Sequence, residues 1–499
     1  LSQCGLTLGG SPSNGWCMFD LRPVGYVTGL LVTFLGLAML LPMLVDIVEG
    51  QGHWMAFLES AIISTLTGGL MALACSNGVR QGLSIQQTFL LTTGVWVALP
   101  VFGALPFILG DTEARVVDAF FEAMSGLTTT GSTVFSDLDQ MPKGLLLWRG
   151  LLQWLGGIGI IVVAMVFLPE LRVGGMQIFR SEGFDTFGKI LPRATEISSR
   201  ISSIYLFLTM SCAAAYMLSG MTAFDATVHA MTTIATGGFA NYDASFAAFE
   251  GASVSVAVVF MILAALPFVR FVQMTAGTAR PLLQDSQIRF FLQTTVLIIV
   301  GLTLWRVVHD GVTTVEGVRN VVFNVVSILT GTGYASADYM LWGGLPVTVL
   351  FFVGLIGGCA GSTSCSIKVF RYQLLFASIK AQLRKIHSPN GMFTPRYDGR
   401  SIDEDVLNSV MSFFVFFIVT LGVVAVLLGL TGLDFITSLS GASAALANIG
   451  PGLGDHIGPA GNFAGLNDSA KWLLAAAMLI GRLELMVVYA ILTVKFWRV

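Results

Sequence analysis

Residues 125–133, SGLTTTGST, form a threonine-rich turn that follows a short apolar segment and precedes a long one. Related strings recur three times further along the chain, each between two apolar segments. The four strings read TTTG, IATG, TGTG and ANIG, and they end at Gly131, Gly237, Gly333 and Gly450. These glycines lie 106, 96 and 117 residues apart. A unit that recurs at such intervals predicts four copies of one structural element.

The composition requires a membrane environment, because 55% of the residues are hydrophobic and only 11% are charged, against about 25% in soluble proteins. Nine stretches carry no charged residue: 24–45, 60–79, 81–110, 150–169, 201–224, 251–269, 290–305, 339–367 and 406–433. A tenth, 472–494, is apolar except for Arg482 and Glu484. Since about 20 helical residues cross the hydrocarbon, we predict ten crossings and an all-α polytopic membrane protein.

The basic residues predict the orientation, because short basic loops stay in the cytoplasm. With a cytoplasmic N-terminus, 19 of the 26 Lys and Arg residues fall inside, six fall outside and Arg482 lies in the membrane. The C-terminus is then cytoplasmic as well. The outside holds 18 carboxylates and 6 basic residues, against 10 and 19 inside. An acidic outer mouth would concentrate cations; the alternative is that acidic outer loops follow from topology alone.

The termini and the cysteines indicate no other kind of site. Residues 1–20 lack an apolar h-region, so we expect the first span, rather than a cleaved signal peptide, to direct insertion. The six cysteines contain no Cys-x-x-Cys pair, which argues against a disulfide framework or a zinc site: Cys4, Cys17, Cys75, Cys212, Cys359 and Cys365.

Each repeat places a short helical pattern before its glycine turn. In the first copy the pattern covers residues 118–127, too few to span, and a full span resumes near residue 150. Irregular backbone at membrane depth must be buried in protein or line water. We therefore expect four re-entrant loops around one axis, where carbonyl rings replace the hydration shell of a cation. The alternative is four ordinary glycine-capped helix ends in a transporter.

The residue types in these turns suit cation binding. Glycine permits positive φ, threonine adds a hydroxyl on a stiff side chain, and helix C-termini direct negative potential at the ion. The predicted filter residues are Thr128, Thr129, Thr130, Gly131, Ile234, Ala235, Thr236, Gly237, Thr330, Gly331, Thr332, Gly333, Ala447, Asn448, Ile449 and Gly450.

The strings SGLTTTGST, ATGGFA, TGTGYAS and ANIGPGLG, with LQWLGGIGIIV at 152–162, resemble the Trk/Ktr/HKT superfamily of cation transporters. The two extra N-terminal spans are similar to the bacterial Trk-type membrane subunit. The resemblance covers residues 22–498. It implies four span, pore loop, span repeats around a central pore, divided here as 1–87 (two extra spans), 88–200, 201–289, 290–405 and 406–499 (pore repeats 1 to 4).

The same resemblance implies a function and partners. We expect potassium uptake through a channel-like filter in the bacterial inner membrane, by a homodimer that a cytoplasmic nucleotide-binding ring regulates. Potassium is then the transported ion, with no bound cofactor and no enzymatic activity. In this superfamily a serine at the first filter glycine accompanies sodium preference, so Gly131 favours potassium. Ile234-Ala235 and Ala447-Asn448 replace the first two threonines, which suggests looser selectivity than in a symmetric channel.

Residues 354–370, GLIGGCAGSTSCSIKVF, hold four glycines within eight positions. Because glycine costs about 1 kcal/mol in a helix interior, we expect a loop; the alternative is a tight helix contact through small residues. The resemblance implies an intramembrane loop that constricts the pore, and Cys365-Ser366 stand where relatives commonly have glycine. The predicted gate residues of this loop are Gly357, Gly358, Gly361, Ser362, Thr363 and Ser364.

Arg482 is the other predicted gate residue. An arginine placed mid-span costs about 2.5 to 3.5 kcal/mol, so a purpose or a partner is expected. The resemblance implies that it faces the pore below the filter and repels cations. The alternative is an ion pair with a carboxylate, although Glu484, two residues on, faces elsewhere on a continuous helix.

The basic stretch 367–387 follows the predicted gate loop directly. It could hold the regulatory ring, or rest on anionic lipid headgroups. The chain has no glycine-rich phosphate loop after a strand, so nucleotide binding is assigned to the partner.

Two other functions remain open at this point. A secondary transporter, either an ion-coupled symporter or a sodium-permeable superfamily member, is the main alternative, although the repeats here are parallel rather than inverted. An intramembrane hydrolase using a serine of residues 361–364 would lack a histidine partner.

Overall fold

The computed structural model describes residues 20–78, 83–110, 112, 114–163, 194–278 and 280–497. Three predictions concern residues that, except for residue 20, lie outside these ranges. They are the signal-peptide prediction for residues 1–20, the predictions for Cys4 and Cys17, and the cytoplasmic placement of the basic residues at 80 and 172–193. Most of the described chain is helical, and one two-stranded antiparallel hairpin pairs Arg396–Tyr397 with Arg400–Ser401.

The N-terminal region is a pair of antiparallel spans. Arg22–Ala38 and Leu40–Val48 form the first span, and Trp54–Cys75 forms the second. The two cross through glycines, since a Cβ added to Gly29 would lie 2.6 Å from the Gly68 carbonyl oxygen. Small residues at this crossing let the two backbones approach closely, as is typical of membrane helices.

The remaining helices follow the order span, pore helix, span four times. Repeat 1 holds Ile85–Gly103, Leu105–Leu109, Val116–Leu127 and Lys143–Val162; repeat 2 holds Ala194–Leu218, Ala223–Ile234, Ala252–Ala264 and Phe268–Thr275. Repeat 3 holds Arg280–Gln284, Ser286–Asp310, Val315–Thr330, Gly344–Gly354 and Val369–His387; repeat 4 holds Glu404–Leu430, Phe435–Ala447, Gly454–Ile457, Asp468–Arg482 and Met486–Leu492. Pore helices 1 to 4 are Val116–Leu127, Ala223–Ile234, Val315–Thr330 and Phe435–Ala447.

The predicted spans are mostly confirmed. Among the described residues, seven helices are long and apolar enough to cross a membrane, and two bent helix pairs raise the number to nine. The stretch 339–367, predicted as one span, instead holds the 11-residue helix Gly344–Gly354 and a non-helical segment. Its glycines prevent a continuous helix. The stretch 472–494 is also broken, by a bend of 109° after Arg482.

Side-chain caps fix where three of the pore helices begin. Thr222 accepts a hydrogen bond from the Asp225 amide and Thr314 from the Gly317 amide, both at 3.1 Å. The Asp434 carboxylate accepts from two amides of pore helix 4. Such caps satisfy amides that the first turn leaves free. The C-terminal halves of the pore helices are buried, and the side of the molecule from which these helices enter is here called the mouth face.

Candidate functional site

All four pore helices end in the same backbone conformation, which aligns the filter segments. Just after each helix one residue has φ between 49° and 75°: Thr129, Thr236, Gly331 and Asn448. Two residues later a glycine has φ between 78° and 101°: Gly131, Gly238, Gly333 and Gly450. The residue between them donates its amide hydrogen bond to the helix residue five positions earlier in every repeat. The four turns are therefore equivalent.

This alignment corrects one predicted position. The counterpart of Gly131 in repeat 2 is Gly238, whereas the sequence pattern had matched Gly237. Ile234 is the last residue of pore helix 2 and precedes the turn. The string IATGG contains two adjacent glycines, and only the backbone conformation distinguishes them. The aligned segments read TTTG, ATGG, TGTG and ANIG.

The four glycine turns close into a ring. A Cβ added to Gly131 would lie 2.2 Å from the Gly237 carbonyl oxygen, and one on Gly238 would lie 1.9 Å from that of Thr332. A Cβ on Gly333 would meet the Ile449 oxygen at 1.9 Å, and one on Gly450 the Thr130 oxygen at 2.9 Å. Each repeat thus contacts the next, and the fourth contacts the first. Glycine is required both by the positive φ and by these close approaches.

Hydroxyl groups alternate around this ring. Thr128 and Thr130 share a hydrogen bond of 2.7 Å between their Oγ1 atoms, and Thr330 and Thr332 share one of 2.8 Å. The corresponding positions are Ala235 and Gly237 in repeat 2, and Ala447 and Ile449 in repeat 4. The expected departure from four-fold symmetry is present, but it is a two-fold alternation rather than an irregular one.

A cavity opens above the ring at the mouth face. It has a volume of about 270 Å³, and its lining includes Gly131, Gly238, Gly333 and Gly450 together with Asp243. All four repeats therefore contribute to one entrance. The Asp243 carboxylate accepts hydrogen bonds from the amides of Asp137 and Leu138, which joins the segments that follow filters 1 and 2.

Below the ring lies the predicted loop. It is not helical, and it connects the helix that ends at Gly354 to the helix that begins at Val369. Three consecutive residues contact the ends of three pore helices. Ser364 Oγ donates to the Thr330 carbonyl at 2.5 Å, and the Ser366 amide donates to that of Ala447 at 2.9 Å. Cys365 Sγ lies 3.5 Å from Thr129 Oγ1. The loop interpretation is confirmed over the tight helix contact.

The other predicted gate residues lie in the part of the loop that is anchored to repeat 2. Thr363 Oγ1 donates to the Ala264 carbonyl at 3.0 Å, and the Phe268 amide donates to Gly361 at 3.0 Å, across the break in that span. Within the loop, Ser362 donates to Cys359, the Gly357 amide donates to Ile367, and Ser364 accepts from Gly358. The segment contacting the filter ends is therefore 364–366, of which Cys365 and Ser366 were not predicted as gate residues.

Arg482 meets this loop from repeat 4. Its Nη1 lies 2.9 Å from Cys365 Sγ, and its Nε and Nη2 have no hydrogen-bond partner among the described residues although the side chain is buried. Glu484 pairs with Arg371 instead. The ion pair considered for Arg482 is therefore not formed with Glu484. The continuous helix assumed through Arg482 and Glu484 is wrong, because the helix ends at Arg482, and Glu484 and Leu485 adopt positive φ.

The space between the loop and Arg482 is narrow. The cavity there, lined by Cys365, Arg482 and Asn448 among others, measures about 30 Å³, room for about two water molecules. Asn448 donates to Thr130 Oγ1 at 2.9 Å and to the Met478 carbonyl at 3.0 Å, which ties the filter to the helix that carries Arg482. The conduit below the filter is thus constricted.

Comparison with known proteins places this architecture in a family. A family model described as TrkH, cation transport protein, matches residues 53–496. The chain belongs to the TrkH family. It is 43% identical over 479 residues to the Trk system potassium uptake protein TrkI of Halomonas elongata, covering 95% of this chain and 97% of that protein. It is 35% identical to TrkH of Escherichia coli K12, over 96% and 99% of the two chains.

A solved structure agrees in fold. The crystal structure of the potassium transporter TrkH from Vibrio parahaemolyticus superposes with a TM-score of 0.88 at 33% identity, covering 96% of this chain and all of that one. This TrkH-family chain is therefore a multi-pass membrane transport protein and not an enzyme. The hydrolase alternative is excluded, and the serines of residues 361–364 bind the loop and the filter ends.

Proposed function

We propose that this TrkH-family protein takes up potassium through a channel-like filter across the cytoplasmic membrane. The ring of four glycine turns carries the proposal, because it brings main-chain oxygens of all four repeats into one closed ring of contacts. Such oxygens can replace the hydration shell of an alkali cation. The relatives named potassium uptake proteins support potassium as the ion.

Transport is driven by the membrane potential, which supplies about 2.3 kcal/mol per charge for each 100 mV. The mouth face is external in this proposal, with both termini in the cytoplasm. Its loops hold 18 carboxylates and 6 basic residues by sequence. This imbalance would raise the local concentration of cations at the entrance.

The loop segment 364–366 and Arg482 form the gate. The segment contacts three pore-helix ends, and the guanidinium places a positive charge directly beneath the filter. A cation leaving the filter meets that charge in a cavity of about 30 Å³. Opening requires the loop and Arg482 to separate.

Regulation acts through the helix Val369–His387, which begins at the end of the gate loop. A cytoplasmic nucleotide-binding ring that grips this helix could move the loop, and a homodimer would present two such helices. The basic last turn, with Arg384, Lys385 and His387, is suited equally to anionic lipid headgroups. Crosslinking in native membranes distinguishes a protein partner from lipid.

The decisive experiment measures rubidium uptake by purified protein in liposomes, with a proton ionophore setting the potential. We expect uptake that follows the potential and that potassium inhibits more strongly than sodium. Empty liposomes are the control. Absence of alkali-cation flux would refute the proposal. In a parallel assay without the ionophore, which would collapse a proton gradient, uptake that requires a proton or sodium gradient at zero potential would favour a symporter.

A sodium-permeable pore is the second candidate. It is favoured by the two-fold alternation of hydroxyls, because repeats 2 and 4 offer Gly237 and Ile449 where the other two offer threonine. Equal competition by sodium and potassium in the same assay would select it and leave the pore itself in place.

A further inference from the structure

Gln153 reaches from the second span of repeat 1 to the filter of repeat 2. Its Nε2 donates to the Gly237 carbonyl at 2.6 Å, and its Oε1 accepts from the Phe239 amide at 3.1 Å. The side chain is fully buried. One amide thus bonds to the backbone on both sides of the filter glycine Gly238, as a neighbouring strand would do.

Arg149 lies one helical turn earlier, on the same face as Gln153. Its Nη1 donates to the Ala240 carbonyl at 2.9 Å, and its guanidinium lies 4.2 Å from the centre of the Phe239 ring. The two side chains therefore hold four consecutive residues, from Gly237 to Ala240. Together they immobilise the segment that leaves filter 2.

Glu122 of pore helix 1 completes this arrangement. It pairs with Arg149 Nε at 2.8 Å, and both side chains are buried. The same carboxylate accepts from the Val134 amide at 2.9 Å, while Arg149 Nη2 donates to Thr133 Oγ1 at 3.2 Å. A buried pair that is fully hydrogen-bonded fixes geometry, and this one joins the segments that follow filters 1 and 2.

Filters 3 and 4 are held differently. In repeat 3, pore-helix residues Asn324 and Ser327 donate to Ser336 Oγ and the Tyr334 carbonyl, at 3.0 and 2.7 Å. In repeat 4, Ser440 of the pore helix accepts from the Leu453 amide at 2.8 Å. These supports come from the same repeat, and loop residues of a neighbouring repeat add to them: Ser132 Oγ donates to the Gly450 carbonyl at 2.8 Å, and Ser245 Oγ accepts from the Ala335 amide at 3.3 Å. The Gly237 to Ala240 segment is instead held by side chains from a span of the neighbouring repeat.

We propose that Gln153, oriented together with Arg149 and Glu122, is a positioning residue that sets the alkali-cation selectivity of the filter. The inference rests on the proposed function. The Gly237 oxygen faces Gly131 of repeat 1, where an added Cβ would lie only 2.2 Å away. Without the Gln153 donor this peptide is free to rotate, and the ring loses the fixed spacing that favours the larger, more easily dehydrated ion.

The test compares sodium and rubidium uptake by the full-length protein in liposomes for the wild type and for Gln153→Leu. We expect the sodium-to-rubidium flux ratio to rise about tenfold, as for the loss of one buried hydrogen bond to a carbonyl. Trp154→Phe is the matched control, because it removes a hydrogen bond of the adjacent residue to Thr209, away from the filter. Its ratio should equal that of the wild type.

Two further variants guard against misfolding. Gln153→Met keeps the length of the side chain but loses the donor to Gly237, so the ratio should rise as in Gln153→Leu. Arg149→Lys keeps the charge beside Glu122 but cannot form the forked contact, so the ratio should rise less. Unchanged ratios in folded Gln153 variants overturn the inference. A wild type that conducts no rubidium refutes the proposed function instead, so the two failures are distinguishable.

Discussion

The filter consists of four equivalent segments, one from each repeat, whereas the constriction beneath it has no such repetition. Each repeat gives the filter a glycine with φ of 78° to 101° against a carbonyl of the next repeat. The constriction takes one loop segment from repeat 3 and one arginine from repeat 4. Four equivalent contributions surround an ion, while a single asymmetric one can move without disturbing the ring. We therefore expect filter changes to alter which ions pass, and constriction changes to alter how fast they pass.

The largest effect should come from the filter. Gly333→Ala adds a Cβ 1.9 Å from the Ile449 oxygen at a residue with φ of 83°. Backbone must shift, and strain of about 1 to 3 kcal/mol is expected from φ alone. Rubidium uptake should fall at least about tenfold, a factor that 1.4 kcal/mol already produces.

Gly432→Ala is the control for that variant, because Gly432 has φ of 94° but no atom within 4 Å of an added Cβ. It shares the backbone strain and lacks the close approach. Similar losses of uptake in both variants would show that contact around the ring does not explain the role of Gly333.

The next effect should come from the constriction. Arg482→Ala removes the charge below the filter, and we expect rubidium uptake to rise about fivefold, since a unit charge near a partly hydrated path contributes about 1 kcal/mol or more. The sodium-to-rubidium ratio should stay as in the wild type. Arg306→Ala, which removes an arginine paired with Asp310, should leave uptake unchanged. A change in the sodium-to-rubidium ratio with Arg482→Ala would show that the constriction also determines which ions pass, contrary to our expectation.

A smaller effect is expected from the thiol that joins the two regions. Cys365→Gly removes the contacts to Thr129 and Arg482 while leaving the charge in place. A thiol contact belongs at the weak end of the hydrogen-bond range, about 0.5 kcal/mol, so uptake should rise about twofold. Cys75→Ser, on the N-terminal spans, serves as control. An increase as large as that of Arg482→Ala would mean that the thiol, rather than the charge, closes the path.

The smallest effect concerns stability alone. The pKa of Asp434, the cap of pore helix 4, is lowered because Thr437 donates hydrogen bonds to it. A lowered folded pKa means that the cap stabilises the protein above its usual pKa of about 3.9 and that this stabilisation is lost as pH falls through the lower value. Asp434→Ala should cost about 1 kcal/mol at pH 7, measured as a lower melting temperature in detergent.

That difference between wild type and Asp434→Ala should shrink as the pH falls below about 3.9, and the ion selectivity of the two proteins should be equal at pH 7. A melting temperature unaffected at pH 7 would show that the cap contributes nothing. A changed flux ratio would show that the filter responds to the start of a pore helix as well as to its end.

The repeated parts of the molecule could be predicted from the sequence, because repetition is visible in a single chain. Four strings near Gly131, Gly237, Gly333 and Gly450 were enough to predict four pore helices and their turns. The glycines of residues 354–361 predicted the loop, because a helix there would be costly. The cost of a membrane arginine singled out Arg482.

Contacts made once could not be predicted in this way. The choice between Gly237 and Gly238 depends on backbone torsion, which two adjacent glycines leave open. Arg482, which contacts Cys365, lies at a 109° bend between two helices, and the apolar sequence around it does not indicate a bend. Arg149 was placed outside the membrane by counting charges, although it is buried beside the filter. Glu122, nearly two helical turns before the filter threonines, is the sequence signal that could have indicated its partner.

The most direct test of a single shared conduit is the position of bound rubidium, located by anomalous scattering in crystals of the protein soaked in rubidium chloride. The structure predicts rubidium on the axis enclosed by Gly131, Gly238, Gly333 and Gly450, with main-chain oxygens of all four repeats around it. Rubidium bound off this axis, or coordinated by the turns of one or two repeats only, would contradict the account.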